Sequence, residues 1–182
     1  MCCVQVWLVK KITPLVIGKA RQPRCFSKIK PVSLPVMYSH KKKAWMNGSL
    51  FESWLSKFNA KMKRQKRKVL LFIDNAPSHP DLEFSNVKLK FLPANTTSKS
   101  QPMDQGIIQT VKLKFHRRQL RHIISEMEKD KSKCGSELLK NINILQAIYL
   151  INRSWQEVET FTIQKCFTKC GFRDFFMWWI YI

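Results

Sequence analysis

VLLFIDNAPSHP, residues 69–80, decides the fold. It starts as an unbroken apolar run, stops at Asp74, and then turns into a loop punctuated by Asn75, Pro77 and Pro80. A short apolar run of this kind, with no polar alternation, fits a strand buried on both faces, as in a parallel sheet. Upstream, Asn47-Gly48-Ser49 is a turn, and Ser49 with Glu52 three residues later reads as a capping box. Leu50, Phe51, Trp54, Leu55, Phe58 and Met62 then recur at the spacing of an amphipathic helix, which runs into the basic tract KMKRQKRK, 61–68. Downstream, VKLKFLP (87–93) alternates apolar residues with Lys and ends at a proline, as a second strand does.

Further out, CCVQVWLV (2–9) and PLVIG (14–18) read as the two strands of a hairpin around Lys10-Lys11. Residues 19–43 are proline-interrupted and basic with no sustained period, and read as loop or edge structure. After a polar loop from Asn95 to Pro102, a long helix is expected from Met103 to about Glu128, with Ile107, Ile108, Val111, Phe115, Leu120, Ile123 and Ile124 on its apolar side. Two more helices are expected over 137–151 and 156–170, the second closed by Gly171. Strands come first and helices last, so the class is α/β with a helical C-terminal part.

The chain has 182 residues, enough for one domain. Lys plus Arg is 33 against 12 Asp plus Glu, a net charge of +21. A charge this large disfavours compaction unless anions screen it, and it argues for a polyanionic partner. A cationic substrate is close to excluded. Ten bases and no acid precede Glu52, and seven more bases lie between Glu52 and Val69, so the first 51 residues offer no carboxylate to any site. Six cysteines form no Cys-x-x-Cys pair, and no zinc-type spacing is visible. Neither the apolar start nor the apolar end reaches the ~20 residues of a membrane span. A reducing compartment and a soluble protein are expected.

Asp74 ends the strongest strand and Asp104 opens the longest helix. Ligands of open α/β sheets bind outside the carboxyl ends of strands. Two carboxylates converging there suit Mg²⁺, which takes oxygen ligands and keeps several waters. Against this, an Asp ending a strand is often a turn residue and an Asp opening a helix often a cap. If the site forms, the two carboxyl groups lie about 4–8 Å apart, within reach of a metal pair.

At these residues the chain resembles a known family. LLFIDNAPSHP (70–80), KLKFLPANTTSKSQPMDQGIIQTVK (88–112), PLVIGKARQPRCF (14–26), KAWMNGSLFESWL (43–55) and TIQKCFTKCGF (162–172) are similar to the DDE-type transposase domain of the pogo/Tigger group, which takes in jerky-like and centromere protein B-like proteins. The resemblance implies an RNase H-like fold in which three acids hold two Mg²⁺ (or Mn²⁺) ions for DNA strand cleavage and joining. The second acid of the family matches Asp74 and the third matches Asp104, with 29 residues between them, which fits the Tigger branch. The family's first acid, on a strand upstream of PLVIGK, has no counterpart, and neither do its helix-turn-helix domains.

The expectation is therefore an incomplete RNase H-like (DDE integrase/transposase) mixed sheet. Residues 1–130 form the partial domain, 131–174 its helical extension, and 175–182 an unrelated tail. The implied function is a transposon-derived, nuclear protein that binds DNA without sequence preference, does not engage membranes and has lost catalysis. The alternatives are a protein-interaction module, or an active endonuclease with a replacement acid. Lys41, Lys42, Lys43, Lys61, Lys63, Arg64, Lys66, Arg67 and Lys68 are the candidate phosphate contacts, through salt-sensitive attraction. The alternatives are a solvated face or an import signal, and the net charge favours polyanion contact without base specificity. His79 reads either as a group that orients the Asp74 loop or touches phosphate, or as a plain loop residue. Trp54 reads as core, and Cys166 and Cys170 as buried apolar residues.

Overall fold

The computed structural model describes residues 11–93 and 100–172. Four short strands and five α-helices follow one another: β1 (Leu15–Gly18), β2 (Met37–His40), α1 (Gly48–Arg64), β3 (Val69–Ile73), β4 (Val87–Phe91), then α2 (Ile108–Lys129), α3 (Gly135–Lys140), α4 (Ile144–Gln156) and α5 (Thr160–Lys169). A single π-turn, Met103–Ile107, leads into α2. The class is mixed α/β with small sheets and helices dominating the second half.

The strands pair in two parallel pairs, β1 with β2 and β3 with β4. In the second pair Val69 faces Val87, Leu71 faces Leu89 and Ile73 faces Phe91. α1 covers this pair. Phe51, Trp54, Leu55, Phe58 and Met62 share one stripe of the helix and pack with Leu15, Val69, Leu71, Ile73 and Val87 into the main core. Trp54 stacks on Phe58 at 5.3 Å and is 5% exposed, as its helical spacing predicts. A second cluster joins Phe26, Leu34 and Val36 of the β1–β2 connection to Ile148 of α4. A third joins Met103 and Ile107 to Cys166 and Phe167 of α5.

Several elements differ from the sequence reading. Within 19–43, expected as loop or edge structure without a defined strand, residues 37–40 form β2, which pairs in parallel with β1. The segment expected as the hairpin partner, 2–9, lies outside the described residues. The α1 cap is Asn47, whose Oδ1 accepts the Leu50 amide at 3.0 Å, and the Ser49–Glu52 box does not form. The helix expected over 137–151 is two helices, broken by Asn141–Asn143. Asn143 and Gln146 make the capping box that starts α4. The last helix begins at Thr160 rather than 156, because α4 continues through Gln156. At the end of α5, Gly171 adopts φ 86° as expected. The Phe172 amide bonds the Phe167 carbonyl and the Gly171 amide the Thr168 carbonyl, a Schellman closure with Phe172 packed on Phe167.

Candidate metal and nucleic-acid site

Asp74 follows β3 directly, at the carboxyl rim of the β3–β4 pair. The loop after it turns back through a His79 amide to Ala76 carbonyl bond of 2.9 Å. This brings His79 Nδ1 to 2.7 Å from Asp74 Oδ1 and 3.4 Å from the Asp74 carbonyl oxygen. The imidazole is only 9% exposed and lies 4.7 Å from the Phe51 ring. Phe51 in turn stacks on Trp54 at 6.2 Å. The aromatic line of the α1 core thus ends in the histidine that touches Asp74. Of the readings open for His79, contact with the Asp74 loop is the one the structure contains. Asp74 Oδ1 is buried and, among the described residues, accepts no hydrogen bond.

Asp104 sits in the π-turn ahead of α2. Gly106 makes that turn possible. Its φ of 143° is open to glycine and rarely to other residues, and a Cβ there would stand 3.3 Å from Cys166 Sγ. The carboxyl of Asp104 is held above the ordinary carboxylate range, first by partial burial and then by the negative charge of Asp74. The two aspartates are therefore electrostatic neighbours, 30 positions apart in the chain. Cys170 belongs to the same neighbourhood: burial pushes its thiol up, and Cys166 and Asp104 push it further, against Lys169. Nothing in the sequence marked the two cysteines as neighbours of Asp104.

Among the described residues no third acid joins this pair. Glu52, Asp81 and Glu83 are exposed. Among the described residues no group of three or more His, Cys, Asp and Glu side chains is arranged to hold a metal ion. A carboxylate pair that repels itself, with one buried oxygen lacking a donor, fits one divalent cation. It does not supply the ligands of a two-ion centre.

The basic residues form two groups at opposite ends of α1. Lys42 and Lys43 are exposed and Lys41 partly so, just before the helix, and Lys41 Nζ lies 3.4 Å from Ser49 Oγ. Lys61, Lys63, Arg64, Lys66 and Lys68 are exposed at its end, with Arg67 partly buried. Seventeen residues at 1.5 Å each put the groups about 25 Å apart. Among the described residues the four ion pairs involve none of these nine bases. Trp45, beside the first group, is 77% exposed. No helix among the described residues is long and apolar enough to cross a membrane.

Two parallel strand pairs backed by helices, with Asp74 at the rim of one of them, make a mixed α/β domain. A family model described as DDE superfamily endonuclease matches residues 1–167, and the chain belongs to that family. Tigger transposable element-derived protein 4 of Mus musculus is 34% identical over 166 residues, covering 91% of this chain and 31% of the relative. Major centromere autoantigen B of Mus musculus is 27% identical over 165 residues (90% and 26%). ARS-binding protein 1 of Schizosaccharomyces pombe is 27% identical over 168 residues (86% and 31%). The chain thus spans about a third of the length of such relatives. No solved structure gives a significant match.

Proposed function

We propose that this chain is an RNase H-like DDE domain that binds duplex DNA without sequence preference, places one divalent cation at Asp74 and Asp104, and does not cleave. The observation that carries the reading is the pair of exposed basic groups flanking α1, which no described carboxylate neutralises, on a chain of net charge +21. Phosphates supply the missing counter-charge. Their binding releases condensed counterions, which makes affinity fall steeply with salt and makes it indifferent to sequence. About 25 Å corresponds to roughly seven base-pair steps at 3.4 Å, so both groups reach one short duplex. The name ARS-binding protein 1 records a nucleic-acid-type partner for one relative and supports the same reading here. A domain with this partner works in the nucleus.

Bound Mg²⁺ or Mn²⁺ supplies Lewis acidity and an activated water. The residues of the chain do the rest. Asp74 and Asp104 offer the oxygens, His79 lies in ion-pair contact with the Asp74 carboxylate, and the Gly106 turn kinks the chain between Asp104 and α2. Two-ion chemistry needs further carboxylates to neutralise and position both ions. Among the described residues no third His, Cys, Asp or Glu stands with the pair to complete such a centre. A site that acts as a unit gives little rate enhancement while one of its members is not in place.

The test is fluorescence anisotropy on two unrelated duplexes at low and physiological salt. The proposal requires similar affinity for both and a loss of several orders of magnitude across the salt range. Salt-independent binding, or binding to one sequence alone, overturns it.

A further inference from the structure

On α2, Leu113, Leu120, Ile124 and Met127 are 65%, 58%, 54% and 39% exposed. At 100° per residue these four fall within an arc of about 60°, and three of them are spaced by seven. They share one side of the helix, with His116 and Arg117 between Leu113 and Leu120. The same helix already buries Val111 and Ile123, and Met127 lies beside Gly135 of α3, so Leu113, Leu120 and Ile124 are a second apolar face, exposed among the described residues. Exposed leucines scattered around a helix need no explanation, but three large apolar residues gathered on one side of it do.

The charges beside it narrow the occupant. Arg117 and Arg121 are exposed along one flank, with Lys114 partly exposed beside them. No carboxylate of the described residues pairs with either arginine. The acids of the helix, Glu126 and Glu128, stand only at its far end, where Glu126 is paired with Lys129. A second copy of this chain would set arginine against arginine and +21 against +21. A nucleic-acid backbone would leave the leucines in water.

From this arrangement we infer that the outer face of α2 docks an acidic amphipathic helix of a protein partner. Its leucine-type residues cover Leu113, Leu120 and Ile124, and its carboxylates meet Arg117 and Arg121. Helix-on-helix recognition through an apolar seam with flanking charge pairs is a standard binding mode. The inference is independent of the DNA reading, since α2 carries none of the bases assigned to phosphate.

Three labelled peptides of equal length, used with the full chain, test it. One has Leu at heptad positions and Glu at the flanks, one has Lys in place of Glu, and one keeps Glu but has Ser in place of Leu. The Leu/Glu peptide should bind at least about tenfold tighter than either control. Leu120→Ser with Ile124→Ser should abolish that preference while leaving duplex binding unchanged. Arg117→Glu with Arg121→Glu should turn the preference toward the Leu/Lys peptide. Equal binding of the Ser/Glu peptide would reduce the effect to net charge and overturn the inference. So would self-association in light scattering that the Leu120→Ser, Ile124→Ser variant removes, because the occupant would then be a second copy.

Discussion

The Asp74–His79 contact joins core packing to site chemistry in one side chain. The imidazole is packed against Phe51 on one side and the Asp74 carboxylate on the other, so its own position is fixed by the α1 core. Partners of this kind orient a ligating carboxylate, and their removal typically costs about 10–100-fold in metal affinity. His79→Ala should therefore weaken Mn²⁺ binding by about that factor, measured by EPR of free Mn²⁺, with the helical circular dichroism retained. Unchanged affinity would make His79 a packing residue only.

Asp104 permits a pH prediction. Its carboxyl is raised above 3.8 by partial burial and by Asp74, so between 3.8 and the raised value the folded chain binds more protons than the unfolded one. Stability falls as pH rises through that window, and the cost persists at neutral pH. Asp104→Asn should accordingly melt higher than the parent at pH 7 and lose that advantage below about pH 4, and added Mg²⁺ should stabilise the parent only. The positions of both aspartates, one after β3 and one in the turn before α2, were legible in the sequence because a strand-ending and a helix-opening carboxylate are position signals. The Cys166 and Cys170 neighbourhood was not, because it depends on how α5 packs on the π-turn.

Helix ends show the same division. At the end of α1 the Arg67 amide bonds the Met62 carbonyl and the Lys66 amide bonds the Lys63 carbonyl, with Lys66 at φ 52°. This is a Schellman closure with lysine in the left-handed position that glycine takes at Gly171. The tract KMKRQKRK hid the stop because no glycine marks it, whereas Gly171 announced its own. Lys66→Gly should relieve about 1 kcal/mol of backbone strain and raise Tm by about 2–4 °C. The same change should lower the salt slope of DNA binding by about 1, since one phosphate contact goes. At Gly106 the opposite holds. Gly106→Ala forces a side chain into φ 143° and against Cys166, and should destabilise by about 1–3 kcal/mol in thermal melts. β2 escaped the sequence reading because a four-residue strand inside a basic, proline-interrupted stretch has too short a pattern to stand out. The break at Asn141–Asn143 escaped because asparagine caps it without interrupting the apolar spacing of 138–149.

Over the whole molecule, the sequence carried the α/β class and the family, through the DNAPSH and QPMDQG motifs and the order of elements. The pairing of strands into two separate parallel pairs was not legible, since register and partner depend on contacts far apart in the chain. Nor was the outer face of α2. The spacing counted Leu120 and Ile124 with the buried side of the helix, while only Val111 and Ile123 of α2 are enclosed. A helix apolar on two faces gives one periodic signal and conceals which face the core takes.

The account joins these scales in one claim: Asp74 and Asp104 form a site for a single divalent cation on a DNA-binding domain that does not cut. The most direct measurement is a Mn²⁺ titration by EPR on the full chain, with supercoiled plasmid in the same tube to report nicking. The predicted result is one bound ion per chain, lost in the Asp74→Asn, Asp104→Asn double variant, with the plasmid left intact. Two bound ions together with nicking that the double variant abolishes would contradict it.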